Sequence, residues 1–140
     1  MHWLAERIAE INALAERHQS LQSAEGNSTS ALRARESLLH SLGRLADEVA
    51  ARPGVHASFV SHDGLLLARG GKAADFDALA ALGEQCVRSC ADTAHTLDLG
   101  GARQVLIVGA KKKLALLPVG QMILGIVSAE ATRLAEVLER

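Results

Sequence analysis

Aromatic side chains are nearly missing from this chain: they make up 2% of its 140 residues, with no tyrosine, one tryptophan and two phenylalanines. Surfaces that stack nucleobases or sugars are built from aromatic faces, so this scarcity argues against nucleic-acid and carbohydrate ligands. An excess of one charge is missing as well. Lysine and arginine number 15 against 16 aspartates and glutamates, for a formal net charge of -1, which supplies no overall basic field to attract nucleic acid or anionic lipid. No apolar run approaches the roughly 20 residues needed to cross a bilayer, so no membrane span is expected. The opening MHWLAERIAEINALAER puts charges into every turn, unlike the uninterrupted apolar region of a secretory signal. Only two cysteines occur, Cys86 and Cys90, four apart in a helical pattern. That spacing suits no disulfide within one helix and fits a reducing compartment, so a cytoplasmic location is expected.

Reactive motifs are missing too. There is no G-x-x-x-x-G-K-[ST] phosphate loop, and the glycines of Arg69-Gly70-Gly71-Lys72 lack the strand-to-helix spacing that cradles a nucleotide. Neither G-x-S-x-G, H-E-x-x-H nor Cys-x-x-Cys occurs, which removes the usual signs of nucleophilic hydrolysis and catalytic zinc. Asp47 and Glu48 are sequence neighbours that a helix points in different directions, so they suit solvation better than acid/base work. The chain is expected not to be an enzyme and to need no cofactor. Cys86 and Cys90 share a helix face, where a twofold axis could gather four sulfurs around zinc or an iron-sulfur cluster, but buried thiols acting as small hydrophobes are the simpler reading. His62 beside Asp63 is the one suggestive histidine pair, read as a solvated turn. Lys111-Lys112-Lys113 is placed at a tip between strands, where it could touch phosphate, lipid or an acidic partner but is read as a solvated, protective tip.

What the chain does have is apolar mass, 49% of its residues, enough for one domain plus an extension. Leu4, Ile8, Ile11, Ala15 and His18 step by four and three and line one face of a helix. The stripe decays too soon for a coiled coil, so a short helix docking on a surface is expected; a membrane-surface helix is the lesser alternative, since the polar face lacks a basic bias. Residues 25–30 form a breaker cluster read as a linker. The expected division is an N-terminal helical extension over 1–26, a linker and helix start over 27–37, and the domain over 38–140.

Within that domain Leu38, Leu42, Leu45 and Val49 mark an amphipathic helix ended by Arg52-Pro53-Gly54. Residues 55–61 and 65–68 are short β-prone runs joined by His62-Asp63-Gly64, a hairpin signal. Asp75 is placed as the N-cap of a long helix running to about Leu97, with Gly100-Gly101 ending it in left-handed backbone. Three apolar runs follow at 104–108, 114–119 and 122–127, joined too closely for parallel crossovers, so they must meander antiparallel. Their almost unbroken apolar character implies cover on both faces. Ser128 is expected to cap a last helix whose Ala131, Leu134, Ala135 and Leu138 are buried. The expected object is an α/β three-layer sandwich: a five-stranded antiparallel sheet, the long helix on one face and the flanking helices on the other.

That order of elements, together with GVHASFVSHDGLLLA, DALAALGEQCVRSCADTAHTLDLGG and ARQVLIVGAKKKLALLPVGQMILGIV, resembles the roadblock family of dynein light chains and GTPase regulators over about residues 38–138. The resemblance implies a homodimer in which the long helices pack side by side and the first meander strands join into one sheet. It also implies binding of a Ras-like small GTPase across the paired helices, or use as a scaffold, and some bacterial members assist hydrolysis by the partner.

The residues point to a dimer on their own account. Ala80, Gly83, Val87, Cys90, Ala91 and Ala94 make a small-residue stripe beside a larger one of Leu79, Leu82, Cys86 and Leu97; if the larger stripe serves the sheet, the smaller is left for a second helix. Tight packing within one chain is the alternative. The resemblance adds Val105 and Ile107 from the first meander strand, and with that stripe they form the expected dimer interface. Glu84, Arg88, Asp92 and His95 are the expected partner-binding set, and Arg88 is placed on the surface that the resemblance assigns to the GTPase. Two rival functions are a structural adaptor of an assembly without a GTPase, and a small-ligand sensor, the latter ranked last because continuous apolar strands offer few polar groups to orient a ligand.

Overall fold

The structure is a computed structural model that describes the backbone of residues 3–25, 29–133, 135 and 137, and the side chains of residues 4–17, 31–133, 135 and 137. The elements run α1 (Trp3–Glu25), α2 (Thr29–Ala50), β1 (Val55–His62), β2 (Leu65–Gly71), α3 (Phe76–Thr96), β3 (Val105–Val108), β4 (Lys112–Val119) and β5 (Met122–Ala129). The sheet has the order β2-β1-β5-β4-β3 with every neighbouring pair antiparallel. Helices α1 and α2 cover one face and α3 the other, as the unbroken apolar strands demand.

On the first face, Leu42, Leu45, Ala46 and Val49 of α2 pack with Val60, Ala68, Ala115, Leu124 and Ile126 of the sheet. Helix α1 docks within its own chain: Leu4 and Ile11 are buried in that same cluster, with Ile8 and Ala15 half-buried beside them. Arg7 Nη2 lies 3.1 Å from Glu48 Oε1 of α2. Burying one leucine or isoleucine contributes about 1.5–3 kcal/mol, whereas a partly solvated ion pair adds about 0–1 kcal/mol. Apolar contact therefore holds α1, and Arg7 orients it. The side chain of His18 lies outside the described residues. Of the breaker cluster, Glu25 still belongs to α1 and Thr29 and Ser30 already to α2, while residues 26–28 lie outside the described ones.

Strands β1 and β2 meet through Asp63 and Gly64, at φ +50° and +78°. A two-residue loop with both central residues at positive φ is the turn whose twist matches flanking strands, hence the Asp-Gly pair. His62 Nδ1 lies 2.9 Å from the Gln121 carbonyl oxygen and Nε2 3.3 Å from Asp63 Oδ2, so this histidine, still 40% exposed in its turn, also ties two hairpin turns together.

Helix α3 starts where Asp75, in extended backbone, accepts through Oδ1 from the Ala78 amide at 3.0 Å. Asp75→Ala is expected to destabilise the fold by about 1 kcal/mol, read by urea denaturation; an unchanged midpoint would show the cap to be dispensable. At its other end the first left-handed residue is Asp98 at φ +56°, ahead of Gly100. The Asp98 amide donates to the His95 carbonyl at 3.1 Å and the Leu99 amide to the Ala94 carbonyl at 2.8 Å, a paired closure that fixes the helix end.

Four expectations are corrected. Strand β2 runs on through both glycines to Gly71. Lys112 and Lys113 open β4, paired with Ala129 and Ser128, so only Lys111 is left in the turn. Ser128 is a buried member of β5 and caps no helix, because pairing with Lys113 extends the strand past it. Beyond the strand, residues 135 and 137 are helical and Val137 is buried, whereas Ala131 and Ala135 are exposed, and Leu134 and Leu138 lie outside the described residues.

Candidate interaction surfaces

Helix α3 packs on its face of the sheet along only part of its length. Its first half carries Phe76, Leu79, Ala80 and Gly83 onto the sheet, and Cys86 and Val87 complete the cluster around Phe59, Val105, Leu116 and Ile123. Past Val87 the sheet no longer supports it, and Cys90, His95 and Leu97 are exposed. The two stripes therefore divide differently from the expected pattern. Ala80 and Gly83 turn inward, Gly83 against Leu116 and Phe59, since the closest helix-sheet approach needs the smallest side chains. Leu82, from the larger stripe, is exposed. Val105 is also buried in its own chain's core. Of the expected interface residues, Cys90 and Ile107 are exposed and Val87, Ala91 and Ala94 half-buried. Cys90 is thus no buried hydrophobe, and both thiols are free.

Glu84, Arg88, Asp92 and His95 fall on one stripe of α3, of which Arg88, Asp92 and His95 are exposed and Glu84 is half-buried beside Gly64. Arg88 Nη2 meets Glu84 Oε1 at 3.2 Å, one turn back, so the guanidinium is held on the helix surface with most of its area open. No group of three His, Cys, Asp or Glu able to hold a metal ion occurs among the described residues, and none of their helices is long and apolar enough to cross a membrane.

The sheet's two edges differ. β2 has a register shift opposite Val60 and Ser61, an outward Arg69 and α2 packed over it, all devices that blunt an edge. β3 has none of them: Leu106, Ile107 and Val108 are 47%, 42% and 59% exposed. Its unbroken apolar character, read as cover on both faces, has another cause here, because past Val105, which α3 covers, neither side is covered within the chain. Between β3 and α3 lies a groove of about 610 Å³, flanked by Lys72 and Lys112. Leu97 and Leu99, at the far end of α3, are 62% and 72% exposed. The sequence reading missed Leu99, Leu106 and Val108 as surface residues; the readable signal was a four-residue apolar strand with no charge or proline to protect it.

Comparison with known proteins returns the Roadblock/LC7 domain over residues 42–128. Among solved structures, MglB of Myxococcus xanthus superposes with a TM-score of 0.65 at 20% identity, covering 71% of this chain and 77% of that one. A Roadblock/LC7 domain from Streptomyces avermitilis gives 0.63 at 21%, covering 69% and 84%. The gliding protein MglB of Thermus thermophilus gives 0.60 at 20%, covering 67% and 75%. At these identities the likeness is one of fold. Among curated proteins there is no match.

Proposed function

This chain belongs to the Roadblock/LC7 family, and on that premise we propose that it is a homodimeric regulator or scaffold for a Ras-like small GTPase, acting in the cytoplasm without turnover of its own. The observation that carries this reading is the bare β3 edge. A strand with an unprotected backbone edge and three successive exposed apolar side chains, as β3 has from Leu106 to Val108, is a template for a second strand, and antiparallel pairing with a second copy would continue the sheet across a twofold axis. The same operation would set two α3 helices side by side, with Arg88, Asp92 and His95 of each directed outward.

The GTPase comes to this chain by family resemblance, and the Arg88 stripe supports it as a place to dock. If the protein accelerates hydrolysis, the route open to it is ordering the partner's own switch loops, with Arg88 as an electrostatic helper. Co-purification of the full chain from its source cell is expected to retain a GTPase in a yield that depends on added GTP or GDP. Arg88→Ala is expected to leave folding unchanged and to lower GTPase retention or stimulated hydrolysis about tenfold. Retention of other proteins but no GTPase under either nucleotide would shift the reading to an adaptor. That rival gains nothing from α1 as a free arm, because Leu4 and Ile11 commit the helix to its own core.

A further inference from the structure

The groove beside α3 and the exposed end of the same helix are complementary. The groove is walled by Ala78 and Leu82, floored by Ile107 and Leu114, and flanked by Lys72 and Lys112. The helix end presents Leu97-Asp98-Leu99: two exposed leucines on either side of one carboxylate. This end is preformed, because hydrogen bonds from the Asp98 and Leu99 amides to His95 and Ala94 hold it, and yet neither leucine folds back onto the chain.

One chain cannot bring the two together. Ala78 and Leu97 lie near opposite ends of one helix, and nineteen residues at about 1.5 Å each separate them by roughly 28 Å. A second copy can. The segment 97–99 leads into the start of β3, whereas the groove opens over Ile107, near that strand's end. Antiparallel pairing of β3 with its twofold mate sets the start of one strand beside the end of the other, and symmetry makes the exchange reciprocal.

We propose that in the homodimer each protomer seats its Leu97-Asp98-Leu99 cap in the other's groove, the leucines against the Leu82 and Ile107 side chains and the Asp98 carboxylate between Lys72 and Lys112. This rests on the dimer reading above and adds to it a lock that sets the register of the two copies. The charges make the second copy a better occupant than an unrelated apolar segment: the charged lining is Lys72 and Lys112 against Asp75 alone, whose carboxylate is already engaged in capping α3 at the Ala78 amide, and an apolar plug would leave that excess positive charge unanswered.

Sedimentation equilibrium on the full chain tests the lock, with circular dichroism as the folding control. Asp98→Lys is expected to weaken the dimer about tenfold, and Leu97→Ser with Leu99→Ser by at least as much. Lys72→Asp with Lys112→Asp should weaken it similarly, and joining those two changes to Asp98→Lys in one chain should restore the dimer to within about threefold. A dimer indifferent to Asp98→Lys and to the paired leucine changes overturns the lock and leaves the dimer standing, as does weakening that the charge swap fails to rescue. A wild-type chain monomeric at every concentration overturns the dimer reading and the lock together.

Discussion

Phe59→Ala is expected to cost about 3–5 kcal/mol of folding stability, and Gly125→Ala about 3 kcal/mol at the same place for the opposite reason. Phe59 is fully buried on the α3 side of β1. Directly across the β1–β5 pair stands Gly125, and a Cβ added there would collide with the Cε1–Cζ edge of the Phe59 ring. From the helix side Gly83 approaches the same ring. The phenyl group thus lies between a glycine of the sheet and a glycine of the helix, in a slot that only their missing side chains open. Removing the ring leaves a cavity with nothing free to fill it; adding a methyl at position 125 forces the ring toward Gly83 and Leu116. Either change takes a large share of the 5–15 kcal/mol that usually separates folded from unfolded chains. Because both act on one slot, they should not add: Phe59→Leu combined with Gly125→Ala should be less destabilised than the sum of the two singles. Urea denaturation measures all of these. A Gly125→Ala protein within about 0.5 kcal/mol of the parent would show that the ring has room to move.

The Phe59 slot also shows where sequence reasoning stopped. Spacing alone located α3, its Asp75 cap and two adjoining apolar stripes, but periodicity says which residues share a face and nothing about which face meets the sheet. Ala80 and Gly83 were assigned outward on the reasonable ground that larger side chains fill cores. The ring of Phe59, a residue far away in sequence, reverses that choice by demanding the smallest neighbours above it. Helix α1 was legible as an amphipathic helix from Leu4, Ile8 and Ile11, while its docking site depends on an apolar surface shared by α2, β4 and β5 that no local pattern describes. The Asp63-Gly64 turn was fully legible, because its signal is a local backbone requirement. Ser128 was misassigned because a serine before a polar stretch reads as a cap, whereas cross-strand pairing with Lys113 carries the strand onward.

In β3 the reading was right about composition and wrong about cause, and the strand carries the second large expectation. Leu106→Lys with Val108→Lys is expected to leave the folding of one chain within about 0.5 kcal/mol, since both side chains are exposed in it, and to weaken self-association by at least about a hundredfold. The two sites lie on the same face of one strand, two residues apart. A twofold axis between two such strands would then gather four new ammonium groups into the space of a few side chains, where the parent places apolar ones. Lysine on an edge strand is also what stops pairing in natural sheets. The substitution thus separates association from folding, which a proline or a core change would confound. Sedimentation velocity should show a dimer for the parent and a monomer with unchanged circular dichroism for the variant. A variant that still dimerises would move the interface off this edge, for example onto the outward stripe of α3, and the β3 strand would then need another reason to carry three exposed apolar residues in a row. A variant that is monomeric and also loses its partner protein would locate that partner across the joined pair, because one chain alone still presents every residue of the Arg88 stripe.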